Sequence, residues 1–292
     1  MGSWVRLCRM LKPCRGKDWM LHYASKRAMS NNSKHTFAVL AYKESPFLED
    51  CVKSVMNQQY KSNVVIATST PNRFIDGIAK KYGIKVIARP KNDRGKGAAS
   101  DFDFALSVSD TTLTTVANHD EIYDYNYSSE IVSYYEKHKD SCIIFTRAYD
   151  IKGNLAVTKS LNLIIKNMLC WPLAFSQKSR FTKRLLLAFG DPICCPAATF
   201  VKGHYEFPVF ESGLIATFDY WAWEKLSKST YSFGYIKKPL MGHRIHEGSI
   251  TTKAIGDNVR AKEEYMILSK FWPKPIAKII SSVYRLSERS NG

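Results

Sequence analysis

From His35 to Thr146 the sequence alternates short β-branched or apolar runs with longer stretches in which apolar residues recur every three or four positions. No other feature constrains the fold as tightly. The short runs are Thr36 to Ala41, Val64 to Ala67, Ile84 to Ala88, Leu113 to Ala117 and Cys142 to Thr146. Between the first two, Phe47, Leu48, Cys51, Val52, Val55 and Met56 share one helical face, with Ser45-Pro46 as N-cap and first residue and Glu49 and Asp50 in the positive first turn. A second stripe, Phe74, Ile75, Ile78, Ala79 and Tyr82, closes on Gly83 in the position of a left-handed C-cap. Phe102, Ala105 and Leu106 mark a third helix. Ile131, Val132 and Tyr135 mark a fourth, capped by Ser128 or Ser129. Strand and helix in strict alternation predict βαβ units, hence an α/β fold with a mainly parallel, twisted sheet flanked by helices. Ligands of such sheets sit beyond the carboxyl ends of the strands, so Tyr42, Thr68 to Asn72 and Asn118 to Glu121 are expected to converge on one crevice.

Polar chemistry gathers at the exit of the fourth run. Leu113 to Ala117 is apolar enough to be buried, whereas the Asn118-His119-Asp120-Glu121 cluster that follows carries a large desolvation cost if buried unpaired. Adjacent carboxylates at the end of a buried strand suit Mg²⁺ or Mn²⁺, which take a few carboxylate oxygens and share their other positions with water and substrate phosphates. A polar turn between strand and helix is the competing reading. Lysine and arginine exceed aspartate and glutamate by 43 − 26 = 17, which points to an anionic partner: nucleotide phosphates, a nucleic acid or an acidic membrane face. Seven cysteines without a Cys-x-x-Cys pair argue against a disulfide framework or a zinc site, and predict a reducing, cytoplasmic setting. The longest apolar run, Met168 to Phe175, is interrupted by Pro172 and falls far short of the roughly 20 residues of a spanning helix.

Outside the alternating core, residues 1–34 read as a basic extension with eight Lys/Arg against Asp18 alone. Trp4, Leu7, Met10 and Leu11 at helical spacing fit either a short amphipathic helix or a loosely ordered arm. The loop from Arg89 to Gly97 holds two glycines and several cations, and it suits either approach to a diphosphate, with Arg94 or Lys96 as a point charge, or a solvated turn. Ile151 to Gly190 contains seven Lys/Arg and no acid, interleaved with Leu161, Ile164, Met168, Trp171 and Phe175. It fits an anionic lipid surface or a pair of ordinary amphipathic helices covering the sheet. Cys194 and Cys195 read as small packing residues rather than nucleophiles. Ala261 to Leu268 reads as a helix, followed by a basic, apolar tail from Phe271.

Two segments, LAYKESPFLEDCVKSVMNQQY from Leu40 and TTVANHDEIY from Thr114, resemble the nucleotide-binding half of family 2 glycosyltransferases of the GT-A (Rossmann-like) fold, in particular those that build bacterial cell-envelope polysaccharides such as lipopolysaccharide and capsule. The resemblance implies a nucleotide-sugar-binding half over 35–150, a less regular acceptor and catalytic half over 151–259 and a basic helical tail over 260–292. It implies that Tyr42 stacks on the base, with Ala41, Glu44, Thr68, Ser69, Lys96, Asn118 and His119 around the nucleotide. Asp120 with Glu121 resembles the metal-binding part of the family's Asp-x-Asp motif, completed by His246. Asn118 stands at the motif's first Asp, Thr68-Ser69-Thr70-Pro71 replaces the usual acidic base reader, and Asp103 replaces a common Asn. Phe218-Asp219 resembles the family's Glu-Asp pair, so Asp219 is the expected catalytic base, with a helix N-cap as its alternative role. Arg244, His246, Ser249 and Thr251 resemble an Arg-x-His-x-x-Ser-x-Thr segment. Asp191, Trp221, Arg244 and Ser249 are expected to serve the acceptor or diphosphate. The implied reaction is inverting, Mn²⁺- or Mg²⁺-dependent transfer from a nucleotide-sugar, by default a UDP-sugar, to a glycan or lipid-linked acceptor, with no nucleic acid partner and possible peripheral contact with the inner face of an anionic bacterial membrane. A catalytically silent nucleotide-sugar-binding protein and a basic nucleic-acid-binding protein are the alternatives.

Overall fold

A computed structural model describes residues 33–91, 97–210, 213–246 and 259–289, the last seven by backbone alone. The expected amino-terminal helix lies outside them. Five strands and four helices alternate as the periodicity predicts, with one short unpredicted strand between the fourth strand and the fourth helix: β1 (His35–Ala41), α1 (Leu48–Met56), β2 (Asn63–Thr68), α2 (Arg73–Tyr82), β3 (Lys85–Ala88), α3 (Gly97–Ser107), β4 (Leu113–Asn118), the unpredicted two-residue β5 (Ile122–Tyr123), α4 (Tyr127–Lys137) and β6 (Ser141–Lys152). There follow β7 (Leu155–Val157), α5 (Leu161–Leu169), a 3₁₀ turn (Trp171–Ala174), α6 (Arg180–Leu187), a second 3₁₀ turn (Cys195–Ala197) and β8 (Ala198–Val201). The last elements are α7 (Phe218–Ser227), β9 (Ser232–Ile245), α8 (Val259–Leu268) and α9 (Lys274–Arg289).

The described strands form one sheet in the order β3-β2-β1-β4-β8-β6-β9-β5, with β7 paired to β6. β1 to β4 pair in parallel and so do β6 and β9, while β8 runs antiparallel between the two groups. β1 is buried along its whole length because both faces of the sheet are covered. One core lies between the sheet and α1, α2 and α4, around Phe37, Ile66 and Tyr127. The other is aromatic, with Phe102, Phe200, Phe210 and Trp223 packed under α3 and α7.

Several boundaries differ from the sequence reading for local reasons. Gly83 closes α2 with φ +64, as expected. α1 starts at Leu48 rather than Pro46: Ser45 accepts the Phe47 and Leu48 N–H groups in a turn that precedes the helix. α4 begins at Tyr127, so Ser128 lies inside it, where its hydroxyl donates to the Tyr60 carbonyl. The division expected at residue 150 falls within β6, which pairs over its length with β9; the two halves share one sheet. Among the described residues no helix is long and apolar enough to cross a membrane.

Candidate active site

The carboxyl ends of β1, β2 and β4 lie level, because Ala41 pairs with Thr68 and Leu40 with Asn118. Tyr42 leaves β1 with its ring 46% exposed, and Glu44 is exposed two residues on. Lys43 between them adopts the left-handed region and donates its N–H to Thr70 Oγ1 at 2.6 Å, tying the turn after β1 to the turn after β2. At that corner Ser69 Oγ donates to Asp101 Oδ2 at 3.0 Å, and Arg89 Nη1 pairs with Asp101 Oδ1 at 2.6 Å. A nearly buried carboxylate therefore stands at the end of β2 although residues 68–71 contain none; it arrives from α3. Asp103, one helical step away, accepts the Val209 and Phe210 N–H groups and anchors that loop instead.

Beyond β4, the His119 ring Nδ1–H donates to the Leu40 carbonyl at 3.1 Å. Asp120 Oδ2 lies 2.9 Å from His246 Nε2, and Arg244 Nε donates to the Asp120 carbonyl at 3.1 Å. Phe47 supports this corner, its ring 4.5 Å from the Arg244 guanidinium and 5.0 Å from the His246 ring. Glu121 is placed differently from the sequence expectation of a metal ligand. It is 1% exposed; Oε1 meets His243 Nδ1 at 2.7 Å and Oε2 accepts the Arg244 N–H at 3.1 Å. Burial pushes its carboxyl up and the His243 charge opposes that, while the Glu121 charge holds His243 above its ordinary range. With both oxygens engaged, Glu121 fastens the β5 corner to β9 and leaves Asp120 and His246 as the side chains able to face a cation.

A second pair of carboxylates comes from Asp191, after α6, and Asp219, the second residue of α7. Asp219 is no N-cap, since Thr217 holds that place; its Oδ1 accepts the Tyr220 N–H at 2.8 Å. Asp191 Oδ1 accepts the Ile193 N–H at 3.0 Å. Burial raises both carboxyls, Asp219 raises Asp191 further, and the charges of Lys166 and Arg260 pull both down. The Tyr220 hydroxyl donates to the Leu187 carbonyl at 2.5 Å, which ties the start of α7 to the loop carrying Asp191. The second 3₁₀ turn, after that loop, packs on β4 and β9, and the Tyr123 hydroxyl donates to the Pro196 carbonyl at 2.7 Å, so the two carboxylate groups belong to one region of the molecule. α7 is held from outside by Glu263 of α8, which accepts from the Ile215, Ala216 and Thr217 N–H groups at 2.8 to 3.0 Å and from the Thr217 hydroxyl at 3.1 Å. Burial pushes the Cys194 and Cys195 thiols well up, which keeps them protonated and un-nucleophilic. Trp221 is not an open platform for a sugar: Lys270 Nζ sits 3.2 Å from its ring centroid and its other contacts are with the core. Lys96 and Ser249, with Arg94 and Thr251, lie outside the described residues.

Sequence reasoning thus missed Asp101 with Arg89, Lys166, His243 and Glu263. Only Arg89 had a signal, as the first cation of a Gly-rich loop. Among the described residues no three His, Cys, Asp or Glu side chains form a ready-made metal cage. Asp120 and His246 nonetheless fit Mn²⁺ or Mg²⁺, which need few protein ligands when phosphates and water supply the rest.

The sequence model of Glycosyl transferase family 2 matches residues 36–202, more than half of the 292. The chain belongs to that family. The match runs from β1 through β8 and so includes the carboxyl edge built by Tyr42, Ser69 and Asp120. Among solved structures, S. aureus TarS 1-349 in complex with UDP-GlcNAc is similar with TM-score 0.55 at 12% identity, over 85% of this chain and 70% of that one. The mannosyltransferase PcManGT from Pyrobaculum calidifontis, in complex with GDP-Man and Mn²⁺, gives 0.58 at 13%, over 94% and 81%. Glucosyl-3-phosphoglycerate synthase from Mycobacterium tuberculosis, in complex with Mn²⁺ and UDP-glucose, gives 0.51 at 11%, over 88% and 84%. At these identities the likeness concerns the GT-A fold, and the chain spans only 42% of the longer TarS chain. No curated protein matches this family 2 chain in sequence.

Proposed function

We propose that the chain transfers a sugar from a nucleotide-sugar donor to a hydroxyl of a glycan or lipid-linked acceptor, with inversion at the anomeric carbon. One observation carries this reading: within a family 2 domain, Asp120 and His246 converge at the end of β4, and the loop and helix that carry Asp191 and Asp219 are tied to that edge through Leu187, Pro196 and the 3₁₀ turn packed on β4. Donor binding draws on the carboxyl edge. Tyr42 offers an exposed aromatic face to the base, and the Ser69–Asp101–Arg89 cluster offers polar groups to its edge, the place of the acidic reader missing from residues 68–71. A UDP-sugar is the proposed donor. TarS and the glucosyl-3-phosphoglycerate synthase are seen with UDP-sugars, and PcManGT with GDP-mannose.

Asp120 and His246 would hold Mn²⁺ or Mg²⁺, with Asn118 as a neutral neighbour. The cation supplies positive charge opposite the donor phosphates and the departing nucleoside diphosphate. Arg244 adds fixed charge toward the same anion, and Lys96 is assigned the same task from its place in the Gly-rich sequence alone. Asp219 accepts the acceptor hydroxyl proton on Oδ2, while its Oδ1 is oriented by the Tyr220 N–H. Its partly buried setting raises its basicity, and its charge in turn raises the Asp191 carboxyl. A single displacement on the face opposite the leaving group gives inversion.

The test is donor turnover by wild type and Asp219→Asn with UDP-glucose, UDP-GlcNAc and GDP-mannose, each with Mn²⁺. The variant is expected to bind nucleotide as wild type does and to lose transfer or donor hydrolysis by about a hundredfold or more. Unchanged turnover dismisses Asp219 as base. A wild-type protein that binds donor without consuming it points to the catalytically silent alternative.

A further inference from the structure

The segment between β6 and the second 3₁₀ turn carries an amphipathic pattern turned the opposite way from an ordinary surface helix. On α5, Leu163 is buried and Lys166, one turn on along the same side, is half-buried. The opposite side presents Leu161, Ile164 and Met168, spaced for one helical stripe and 59%, 49% and 65% exposed. The 3₁₀ turn that follows packs on both α5 and α6. There Trp171 and Phe175 meet edge to face at 5.3 Å, and Phe175 and Phe181 are 75% and 73% exposed. A side chain with three-quarters of its surface in solvent protrudes; it does not line a groove for a partner's side chain.

Charge selects the occupant. Lys152, Lys159 and Arg180 are exposed within the same stretch of chain, and Lys178 reaches Asp140 at 3.1 Å. Residues 151–190 hold seven Lys/Arg and no acid, so a second copy docked face to face would set like charges together. The chain's first 34 residues, with eight Lys/Arg and one acid, carry the same sign. Protruding aromatic and aliphatic side chains in a stretch rich in cations match the headgroup layer of an anionic bilayer, where Trp and Phe enter the interface and Lys and Arg meet phosphates.

We propose that the face formed by α5, the 3₁₀ turn and α6 docks on an anionic lipid bilayer. Docking sets the Leu161, Ile164 and Met168 side of α5 in the headgroup layer and leaves its Leu163 side on the protein. This goes beyond sugar transfer and is testable without it, since vesicles lacking donor and acceptor suffice.

The full chain is floated with vesicles of phosphatidylcholine alone and of phosphatidylcholine with about one-third phosphatidylglycerol. Wild type is expected to float with the anionic vesicles, to stay behind with the neutral ones, and to be released by about 0.5 M salt. A Phe175→Ser/Phe181→Ser double variant, altered only at exposed positions, is expected to keep the wild-type unfolding midpoint and bind the anionic vesicles about tenfold more weakly or worse. Wild type that fails to float overturns the proposal, as does a double variant that floats equally well. A wild-type dimer in light scattering that the double variant dissolves assigns the face to a second copy and overturns it too.

Discussion

Glu263 lies forty-four residues beyond Asp219 in sequence yet caps the helix that carries it. Its replacement tests whether the site is built as described. The carboxylate is about nine-tenths buried and accepts from three successive backbone N–H groups, Ile215 to Thr217, and from the Thr217 hydroxyl. Thr217 makes no side-chain cap of its own, so a negative charge delivered from α8 meets the positive end of α7. A hydrogen bond to a charged group contributes about 1.5 to 3 kcal/mol. In Glu263→Ala the Ile215 N–H, on an exposed residue, regains water, while the buried Thr217 groups do not. One to two uncompensated bonds set the expected loss at about 3 kcal/mol. At roughly 2 to 4 °C per kcal/mol for a domain near this size, the midpoint falls by about 6 to 12 °C. Glu263→Gln keeps an acceptor oxygen for the Ala216 and Thr217 donors but sets an amide NH₂ against the Ile215 N–H, so its loss is expected to be about half as large. Differential scanning calorimetry gives the midpoints, and turnover at a temperature where both proteins are folded gives the functional arm. Both variants are expected to lower kcat more than donor affinity, because Asp219 moves and the β1–β2–β4 edge does not. An Ala variant melting within about a degree of wild type, or a Gln variant as damaged as Ala, refutes the cap.

Two further perturbations follow from the titratable groups. His35 is fully buried between Ser62 Oγ at 2.7 Å and Thr115 Oγ1 at 2.8 Å, and burial pushes its imidazole down from 6.5 to about 3. The unfolded chain binds this proton first, so the His35 contribution is complete above pH 6.5 and is lost as pH falls toward 3. Urea unfolding is expected to show about 2 kcal/mol less stability at pH 5 than at pH 8 from this residue, a difference that shrinks in His35→Gln; an equal pH dependence in the variant contradicts it. Asp191→Asn removes the carboxyl that the Asp219 charge raises. Because burial, rather than Asp191, raises the Asp219 carboxyl, the acid limb of the kcat/KM profile is expected to stay in place; a limb that moves to lower pH shows instead that a charged Asp191 sets the basicity of Asp219.

The alternating core was legible because each buried strand and amphipathic helix announces itself within its own few residues. Gly83 is the clearest case, since a left-handed C-cap needs little beyond the glycine itself. Residues whose role depends on distant partners were not legible. Glu121 looks like a cation ligand until His243, 122 positions away, is brought against it. Asp101 sits inside an ordinary helix and gains meaning only where Ser69 and Arg89 fold onto it from the ends of two other segments. Trp221 has the right chemistry for a sugar platform, but Lys270 from the loop after α8 covers its ring. The apolar, acid-free stretch 151–190 was visible as composition. That Leu161, Ile164 and Met168 face outward required the orientation of α5.

On the proposed reading, the edge formed by β1, β2 and β4 binds a nucleoside diphosphate with a divalent cation at Asp120 and His246. Titration calorimetry of UDP into wild type and Asp120→Ala, each with and without Mn²⁺, is the test. Mn²⁺ is expected to tighten UDP binding to wild type by about tenfold or more and to leave the variant's weaker binding unchanged. Equal affinity with and without Mn²⁺ in wild type, or the same Mn²⁺ enhancement in the variant, contradicts it.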